Sequence, residues 1–418
     1  MEKIACLFPG QGSHFVGMGR SLCDQHEIAR HTFEEANDVL GYNLAKVCFE
    51  GGVGELSRAD NAWTGLVTLS VALFRVYMKQ IGLAPQFCAG HSLGEYSALI
   101  CAGGIRFPDG LRIVHLRGKL AEAIAVTDTG AMTVVDGIDP RAVEAECARV
   151  SAEEQHVAVS CYNSPTQTDI SGYRDAVLKV EERILDLGGQ VTPLYGSAPM
   201  HSSLMEEAVL KLSEALQQCS FGYIRYPVVS NVAAHLYQGP GSLAETLVQH
   251  LVRPVLWQHS IDFLKRHGVT LFVEMGAKNV LSNLISGSGD DVRALCFGVR
   301  EDRAELQVGR EPAKASPSVV SRCLAMGAAL PNRNWDQASF QEGVLNPYRR
   351  IQDLQARLDR EGRAPSLPEM KDALELLRLI MQTKRLPAEE QQESFNLIFE
   401  ETGTQYLFKD FVAKRQTV

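Results

Sequence analysis

A serine stands between two glycines in the stretch Ala89–Leu99 (AGHSLGEYSAL), which has the form G-x-S-x-G from Gly90 to Gly94. Residues Phe87–Ala89 predict the end of a short buried strand, and the residues after the serine predict a helix. In a nucleophile elbow of this kind the serine Oγ is exposed on a sharp turn, and flanking glycines avoid clashes. The helix N-terminus favours developing negative charge. Ser92 is therefore a candidate nucleophile, although glycine and serine also occur in ordinary turns.

A serine nucleophile needs a base, and His201 is the candidate among eleven histidines. It lies in Ser197–Ser203 (SAPMHSS), directly after the last predicted strand of an inserted domain. There it would face a cleft between two domains. His91 is expected to be structural, because a side chain next to the nucleophile on a tight turn points elsewhere. The alternative interpretation is a helix-capping cluster, which accounts for Ser202 and Ser203 but needs no histidine.

A glycine-rich loop, Phe8–Gly19 (FPGQGSHFVGMG), follows the first predicted strand. Such a loop suggests phosphate binding, but it lacks G-K-[ST], and Phe15 occupies the sixth position of a G-x-G-x-x-G pattern that starts at Gly10. The alternative is a loop whose backbone, together with the Gln11 side chain, lines a site beside the serine.

Strand and helix patterns alternate around these motifs, which predicts a mostly parallel sheet covered by helices on both faces. The predicted strands are Ile4–Phe8, Phe87–Ala89, Val228–Val232 and Leu271–Glu274. The predicted helices are Ala29–Val39, Leu66–Gln80, Ser92–Cys101, Pro108–Ala125, Ser202–Cys219 and Leu243–Leu251.

A different pattern begins near Gly130 and has the order β-α-β-β-α-β, which is typical of a ferredoxin-like domain. Its predicted strands and helices are Met132–Val135, Pro140–Val150, Val157–Cys161, Thr168–Ser171, Arg174–Leu187 and Gln190–Leu194, with a turn at Asn163–Pro165. We interpret it as a small domain inserted into the larger one.

The composition shifts from about Glu301, and Glu311–Ser318 (EPAKASPS) is predicted to be a linker. The helical, charge-rich segments predicted beyond it are Pro347–Glu361, Pro368–Gln382 and Glu389–Glu401. The predicted domains are thus 1–128 with 198–303 (catalytic), 129–197 (insert) and 304–418 (linker and helical extension).

The chain of 418 residues has a net charge of −9 and a pI near 5.7, which argues against general binding to nucleic acid or anionic membranes. Its ten cysteines lack metal-ligand spacing, so buried reduced thiols are expected rather than a zinc site. The N-terminus has no signal-peptide pattern, and no apolar run is long enough to span a bilayer. We therefore expect a soluble, cytoplasmic protein.

Considered jointly, these motifs resemble the malonyl-CoA:acyl carrier protein transacylase family from Lys3 to about Arg300. The motifs that follow the family's order are LFPGQGSHFVGMG, AGHSLGEYSAL, LRGKLAEAI…TGAM, YNSPTQTDISG, SAPMHSSLM and RPVLWQHSI. The resemblance implies an α/β fold: an α/β-hydrolase-like large domain with an inserted ferredoxin-like small domain, here followed by a helical C-terminal extension.

The resemblance also implies roles for individual residues. Ser92 looks like the nucleophile and His201 its general base and acid. A backbone carbonyl near His250 looks like the group that orients the histidine. The backbone N–H groups of Leu93 and Gln11 look like the oxyanion hole.

Arg117 matches the family's arginine that holds the free carboxylate of a malonyl group, a task that suits a guanidinium with two parallel hydrogen bonds. Considered without the resemblance, an arginine on a helix would more often be a solvated surface residue. The implied reaction is ping-pong: a coenzyme A thioester is the substrate, no cofactor is bound, and a phosphopantetheinylated acyl carrier protein accepts the acyl group. A monomer without nucleic-acid, membrane or metal partners is expected.

Three positions depart from the family's pattern and are predicted to shape the pocket. Trp63 begins Trp-Thr-Gly-Leu where the family usually has Gln-Pro-Ala-Leu, Cys161 replaces an asparagine, and Met200 precedes the candidate base. Two interpretations stay open: drift with preserved activity, or a different acyl group or outcome.

The segment Asn332–Leu354 resembles extensions on acyltransferases of polyketide or hybrid assembly lines. The first hypothesis is accordingly a discrete, trans-acting malonyltransferase of a polyketide-type pathway. The alternatives are an editing hydrolase that removes acyl groups from carrier proteins, and a non-catalytic docking protein. The extension either docks on a partner or only supports packing.

Overall fold

The computed structural model describes residues 3–153, 155–286, 292–307, 318–361, 363–402, 404 and 407–408. The chain forms two compact units, Met1–Tyr77 with Leu83–Val308, and Met78–Gly82 with Gly309–Val418. The first unit contains both sheets and all the candidate site residues.

The N-terminal third alternates short strands with long helices. Its elements are β1 (Lys3–Phe8), α1 (Arg20–Gln25), α2 (Glu27–Leu40), α3 (Leu44–Glu50), α4 (Val53–Leu56), α5 (Ala59–Gln80), β2 (Phe87–Gly90), α6 (Gly94–Cys101) and α7 (Phe107–Ala125).

The inserted segment follows as β3 (Gly130–Asp136), α8 (Pro140–Glu153), β4 (Val157–Ser164), β5 (Gln167–Tyr173), α9 (Arg174–Asp186) and β6 (Gln190–Pro193). Its four strands pair in the order β4-β5-β3-β6, and every pairing within the sheet is antiparallel. This is the ferredoxin-like arrangement that the sequence predicted. Apolar side chains of both helices pack on one face of the sheet, where Val143, Val177 and Ile184 are fully buried.

The chain then completes the large sheet. Its elements here are a 3₁₀ turn (Ser203–Met205), α10 (Glu206–Gln217), β7 (Val228–Val229), a second 3₁₀ turn (Pro240–Ser242), α11 (Leu243–Gln249), α12 (Trp257–Arg266), β8 (Val269–Glu274), α13 (Val280–Ser286), β9 (Arg293–Cys296) and α14 (Arg300–Gln307).

The large sheet has the strand order β7-β2-β1-β8-β9, and all its pairings are parallel. β1 lies at its centre, and Ala5 to Phe8 are fully buried, as expected for a strand covered by helices on both faces. The carboxyl ends of parallel strands meet at one edge of a sheet, so the loops after β1, β2 and β7 lie side by side.

The second unit is helical and has its own apolar core. Its helices are α15 (Val319–Ala329), α16 (Gln337–Phe340), a π-helical turn (Gln341–Leu345), α17 (Asn346–Glu361), α18 (Leu367–Thr383) and α19 (Ala388–Thr402). Lys384 is buried, and its Nζ donates to the carbonyl oxygens of Gly327 and Leu330, each at 2.8 Å. A lysine thereby caps the carboxyl end of α15, where backbone carbonyls lack helical partners.

The predicted strands and helices are largely present, with several differences. The turn predicted at Asn163–Pro165 is wrong, because β4 continues to Ser164 and the hairpin turns at 165–166. The strand predicted over Val228–Val232 ends at Val229, and α5 begins at Ala59 rather than Leu66. The strand β9 and several helices, among them α12, α13 and α15, were not predicted. Of the predicted linker, residues 311–317 lie outside the described residues.

Candidate active site

Ser92 lies on a strained turn between β2 and α6. Its φ is +48°, a left-handed value that non-glycine residues rarely adopt. A Cβ on Gly90 would lie 2.0 Å from the Gly94 carbonyl oxygen, and a Cβ on Gly94 would lie 1.9 Å from the Phe8 carbonyl oxygen. Both flanking residues must therefore be glycine for the chain to turn this sharply.

The predicted nucleophile and the predicted base are in hydrogen-bond contact. Ser92 Oγ lies 2.7 Å from His201 Nε2, and His201 Nδ1 donates to the backbone carbonyl of His250 at 2.8 Å. Because Nδ1 carries the proton of that second bond, Nε2 is the acceptor for the serine hydroxyl. The backbone of His201 also has a left-handed φ of +60° and donates to Leu251 O at 3.0 Å.

His201 is almost completely buried, and this keeps its imidazole neutral. Burial lowers the pKa of His201 to about 3, and the positive charge of Arg117 contributes in the same direction. A neutral imidazole that faces a serine hydroxyl is able to accept its proton at ordinary pH.

Asn231, two residues after the end of the short strand β7, fixes the backbone of the elbow. Its Oδ1 accepts from the Ser92 N–H at 2.7 Å, and its Nδ2 donates to Gly90 O at 2.6 Å. The residue is fully buried. Two hydrogen bonds from one rigid side chain therefore hold the two sides of the strained turn.

Glu95, in the first turn of α6, contacts the backbone of Asn231 and the side chain of His250. Its Oε1 accepts from the Asn231 N–H at 3.0 Å and from the Tyr237 hydroxyl at 2.7 Å, and its Oε2 lies 3.3 Å from His250 Nδ1. Burial raises the pKa of Glu95 to about 7, and the hydrogen bonds from Tyr237 and Asn231 and the charge of Arg117 act in the opposite direction.

Arg117 extends from α7 into the interior, where it is 2% exposed. Its Cζ lies 4.9 Å from the centre of the Trp63 ring and 5.5 Å from that of Tyr96. Among the described residues, Nε and Nη2 have no hydrogen-bond partner. Burial lowers the pKa of Arg117, but a guanidinium stays protonated in proteins. The site thus contains a buried cation with unused donors.

Trp63 connects Arg117 to the glycine-rich loop. Its Nε1 donates to Gln11 Oε1 at 3.1 Å, and the indole is 3% exposed. In the part of the chain that the structure describes, the backbone N–H groups of Gln11 and Leu93 have no hydrogen-bond acceptor. Leu93 precedes the first residue of α6, so its N–H lies at a helix N-terminus.

His91 points away from Ser92, as the sequence predicted. Its Nε2 lies 2.7 Å from Asn163 Oδ1, and Asn163 in turn donates to Asp169 Oδ1 at 2.9 Å. The Cys161 thiol is buried beside the same carboxylate, and burial raises the pKa of Asp169 to about 6. This network connects the insert to the elbow.

Backbone hydrogen bonds join the insert to the large domain at Val255, whose N–H donates to Ser160 O and whose carbonyl accepts from the Tyr162 N–H, each at 2.9 Å. Met200 is buried directly before His201. The pocket-shaping roles of Cys161 and Met200 stay predictions.

Within the described ranges, no group of three or more His, Cys, Asp or Glu side chains could hold a metal ion. None of the helices in these ranges is both long and apolar enough to cross a membrane. All ten cysteines carry free thiols, and nine of them are buried.

The fold therefore brings together Ser92, His201, Arg117, Trp63 and the carbonyl of His250, which are far apart in sequence. Sequence reasoning missed Asn231, Glu95, Tyr237 and Asn163. A signal for Asn231 existed, because a polar residue near the carboxyl end of a predicted parallel strand lies at the edge of the sheet where Ser92 turns.

Comparison with known proteins agrees with this geometry. The model of the acyl transferase domain family matches residues 6–301. The chain belongs to this acyl transferase family. A relative from Bacillus subtilis, a malonyl CoA-acyl carrier protein transacylase, is 36% identical over 398 residues, which cover 94% of this chain and 99% of the relative. This alignment is longer than the family match, so it includes most of the C-terminal extension.

Solved structures support the same assignment. FabD from Acinetobacter baumannii superposes with a TM-score of 0.69 at 35% identity and covers 73% of this chain and 97% of its own. A second structure, a malonyl-transacylase in complex with a type II PKS acyl-carrier protein, gives a TM-score of 0.70 at 36% identity and covers 74% of this chain and 100% of its own. The α/β fold class predicted from the sequence is confirmed, and the chain is an acyltransferase.

Proposed function

We propose that this acyltransferase moves a malonyl group from coenzyme A to the phosphopantetheine thiol of an acyl carrier protein, through an ester on Ser92. The observation that carries the proposal is a buried guanidinium with free donors, Arg117, in the same site as a serine–histidine pair. Plain acyl groups would leave that cation without a partner, whereas a malonyl group brings a carboxylate.

In the first half-reaction His201 Nε2 accepts the proton of Ser92 as Oγ attacks the thioester carbonyl. The resulting oxyanion accepts hydrogen bonds from the backbone N–H groups of Leu93 and Gln11. When the tetrahedral intermediate collapses, the carbon–sulfur bond breaks, and the leaving thiolate of coenzyme A takes the proton from His201. The carbonyl of His250 keeps the imidazole oriented throughout.

In the second half-reaction the carrier thiol is the nucleophile and Ser92 Oγ is the leaving group. The phosphopantetheine thiol gives its proton to His201 as its sulfur attacks the Ser92 ester, and the proton returns to Ser92 Oγ as the ester bond breaks. Arg117 holds the malonyl carboxylate through both steps, because the acyl group does not leave the site between them. The acyl donor is a coenzyme A thioester, and no resident cofactor enters this scheme.

We further propose a role in a polyketide-type pathway. Its support is the transacylase solved with a type II PKS acyl-carrier protein, together with the resemblance of Asn332–Leu354 to extensions on acyltransferases of polyketide assembly lines. The names of these relatives give no support to the hydrolase alternative. We also propose the domain division 1–128 with 198–303, 129–197 and 304–418, and pocket-shaping roles for Trp63, Cys161 and Met200.

Intact-mass spectrometry tests the proposal. The protein is mixed with malonyl-CoA and acetyl-CoA in competition, and then with a phosphopantetheinylated carrier protein. We expect a malonyl adduct that Ser92→Ala abolishes, a malonyl preference that Arg117→Ala removes, and transfer to the carrier. Arg112→Ala is the matched control, because Arg112 lies on the same helix but is exposed and paired with Asp109. Release of free malonate without carrier acylation would overturn transfer in favour of hydrolysis.

A further inference from the structure

Trp63 contacts both groups that are to hold the acyl substrate. Its ring faces the Arg117 guanidinium at 4.9 Å, and its Nε1 donates to Gln11 Oε1 at 3.1 Å. Gln11 belongs to the loop whose backbone N–H is the proposed oxyanion donor, and the residue is exposed. A buried, rigid indole therefore holds an exposed loop residue on one side and a buried cation on the other.

The way in which Arg117 is held matters for recognition. A carboxylate partner from the protein would orient the guanidinium but would occupy the donors that a substrate needs. The rings of Trp63 and Tyr96 instead contact its faces, which attracts the cation electrostatically and uses none of its N–H groups. Nε and Nη2 consequently remain available in the plane of the guanidinium.

The chemistry of the substrate explains why one side chain should contact both Gln11 and Arg117. In a malonyl thioester one methylene separates the carbonyl carbon from the carboxylate carbon. The oxyanion hole binds the first group and Arg117 binds the second. The distance between these two anchors therefore decides which diacid fits, and Trp63 is the side chain that contacts both.

We propose that Trp63 is a positioning residue that holds the oxyanion loop and Arg117 at a fixed separation, which selects malonyl over acetyl and over the longer diacid succinyl. The inference rests on the proposed malonyl transfer. It adds a specificity role for an aromatic side chain that acts through Arg117 and Gln11.

Two substitutions separate the two contacts of the indole. Trp63→Phe keeps a ring over Arg117 but removes the donor to Gln11, so we expect both malonyl and acetyl loading of Ser92 to slow by the same factor of about 2 to 12, the value of one hydrogen bond. Its succinyl-to-malonyl ratio should rise, because the oxyanion loop and Arg117 are no longer held at a fixed separation. Trp63→Leu removes both contacts. We expect its malonyl-to-acetyl ratio to fall by about 2- to 30-fold, the range for a cation–π contact, and its succinyl-to-malonyl ratio to rise.

The measurement is the kcat/KM of Ser92 acylation for malonyl-CoA, acetyl-CoA and succinyl-CoA with the full chain. Phe74→Leu is the matched control, because Phe74 is a buried aromatic on the same helix that packs on Phe8 and Tyr77. This variant should keep both ratios of the wild type while it loses comparable thermal stability.

The inference is overturned if folded Trp63→Leu keeps both ratios of the wild type, since Trp63 would then serve packing only. A Trp63→Phe variant that loses the preference for malonyl over acetyl as fully as Trp63→Leu would overturn it as well. The underlying proposal fails in a different way: the wild type would load acetyl as readily as malonyl, or Arg117→Ala would leave the ratio unchanged.

Discussion

Asn231→Ala is the substitution that tests most directly how the elbow is held. Asn231 is fully buried behind the turn and is not one of the residues proposed to bind the acyl group. Its side chain accepts from the Ser92 N–H at 2.7 Å and donates to Gly90 O at 2.6 Å. Alanine removes both bonds and leaves two buried backbone groups without partners, while Ser92, His201 and Arg117 keep their identities.

The magnitude follows from these two bonds and from the strain at Ser92. A buried donor or acceptor that loses its partner costs about 1–3 kcal/mol, so the free energy of unfolding should fall by about 2–6 kcal/mol. A backbone at φ +48° stores about 1–3 kcal/mol, which the turn releases when it is no longer held. If the relaxed turn is inactive, acylation should slow by about 5- to 150-fold.

The assay is the rate of Ser92 acylation at saturating malonyl-CoA, measured together with urea unfolding. Asn61→Ala is the control, because Asn61 also makes two side-chain hydrogen bonds in the same unit, from the Tyr42 hydroxyl and to Glu55 O. It should lose stability and keep its acylation rate. An Asn231→Ala protein that acylates at the wild-type rate would refute the reasoning.

Two further outcomes are expected. Because the pKa of His201 is about 3 when folded and near 6.5 when unfolded, the unfolded state binds the proton first as pH falls below 6.5. Folding stability is then lost by up to about 1.4 kcal/mol per pH unit. His201→Gln should reduce this slope in urea unfolding at pH 5 and 7, and an unchanged slope would contradict the assignment. Gly94→Ala places a Cβ 1.9 Å from Phe8 O and should abolish Ser92 loading, whereas Gly52→Ala, whose Cβ meets nothing within 4 Å, should not. Normal loading by folded Gly94→Ala would contradict the packing argument.

The sequence was most informative where a local pattern has one structural solution. Glycines on both sides of Ser92 predict a turn too sharp for a side chain, and the alternation of strands and helices predicts the parallel sheet. β9 was not predicted, although it is as long as β2, because Arg293–Cys296 begins with a charged, exposed arginine and only its last two residues are buried. The start of α5 at Ala59 was not predicted, because polar and apolar residues alternate irregularly in its first turns. All residues from Asp60 to Phe74 are nevertheless buried.

The supporting groups could not be read from the sequence, because only tertiary contacts define them. Asn231 and Ser92 are 139 residues apart, and Glu95 reaches Tyr237 across 142 residues. The surroundings of Arg117 could not be predicted from the sequence either. Its motif suggested a role, but nothing local indicates that the side chain turns inward between two aromatic rings.

The position of Arg117 has a consequence for the resting enzyme. A buried cation without a hydrogen-bonded counter-ion destabilises the folded state, and a carboxylate that binds it recovers part of that loss. On the proposed reaction, the malonyl ester keeps its carboxylate beside Arg117 after coenzyme A has left. The loaded enzyme should then resist unfolding better than the free enzyme, so the malonyl group stabilises the protein that carries it.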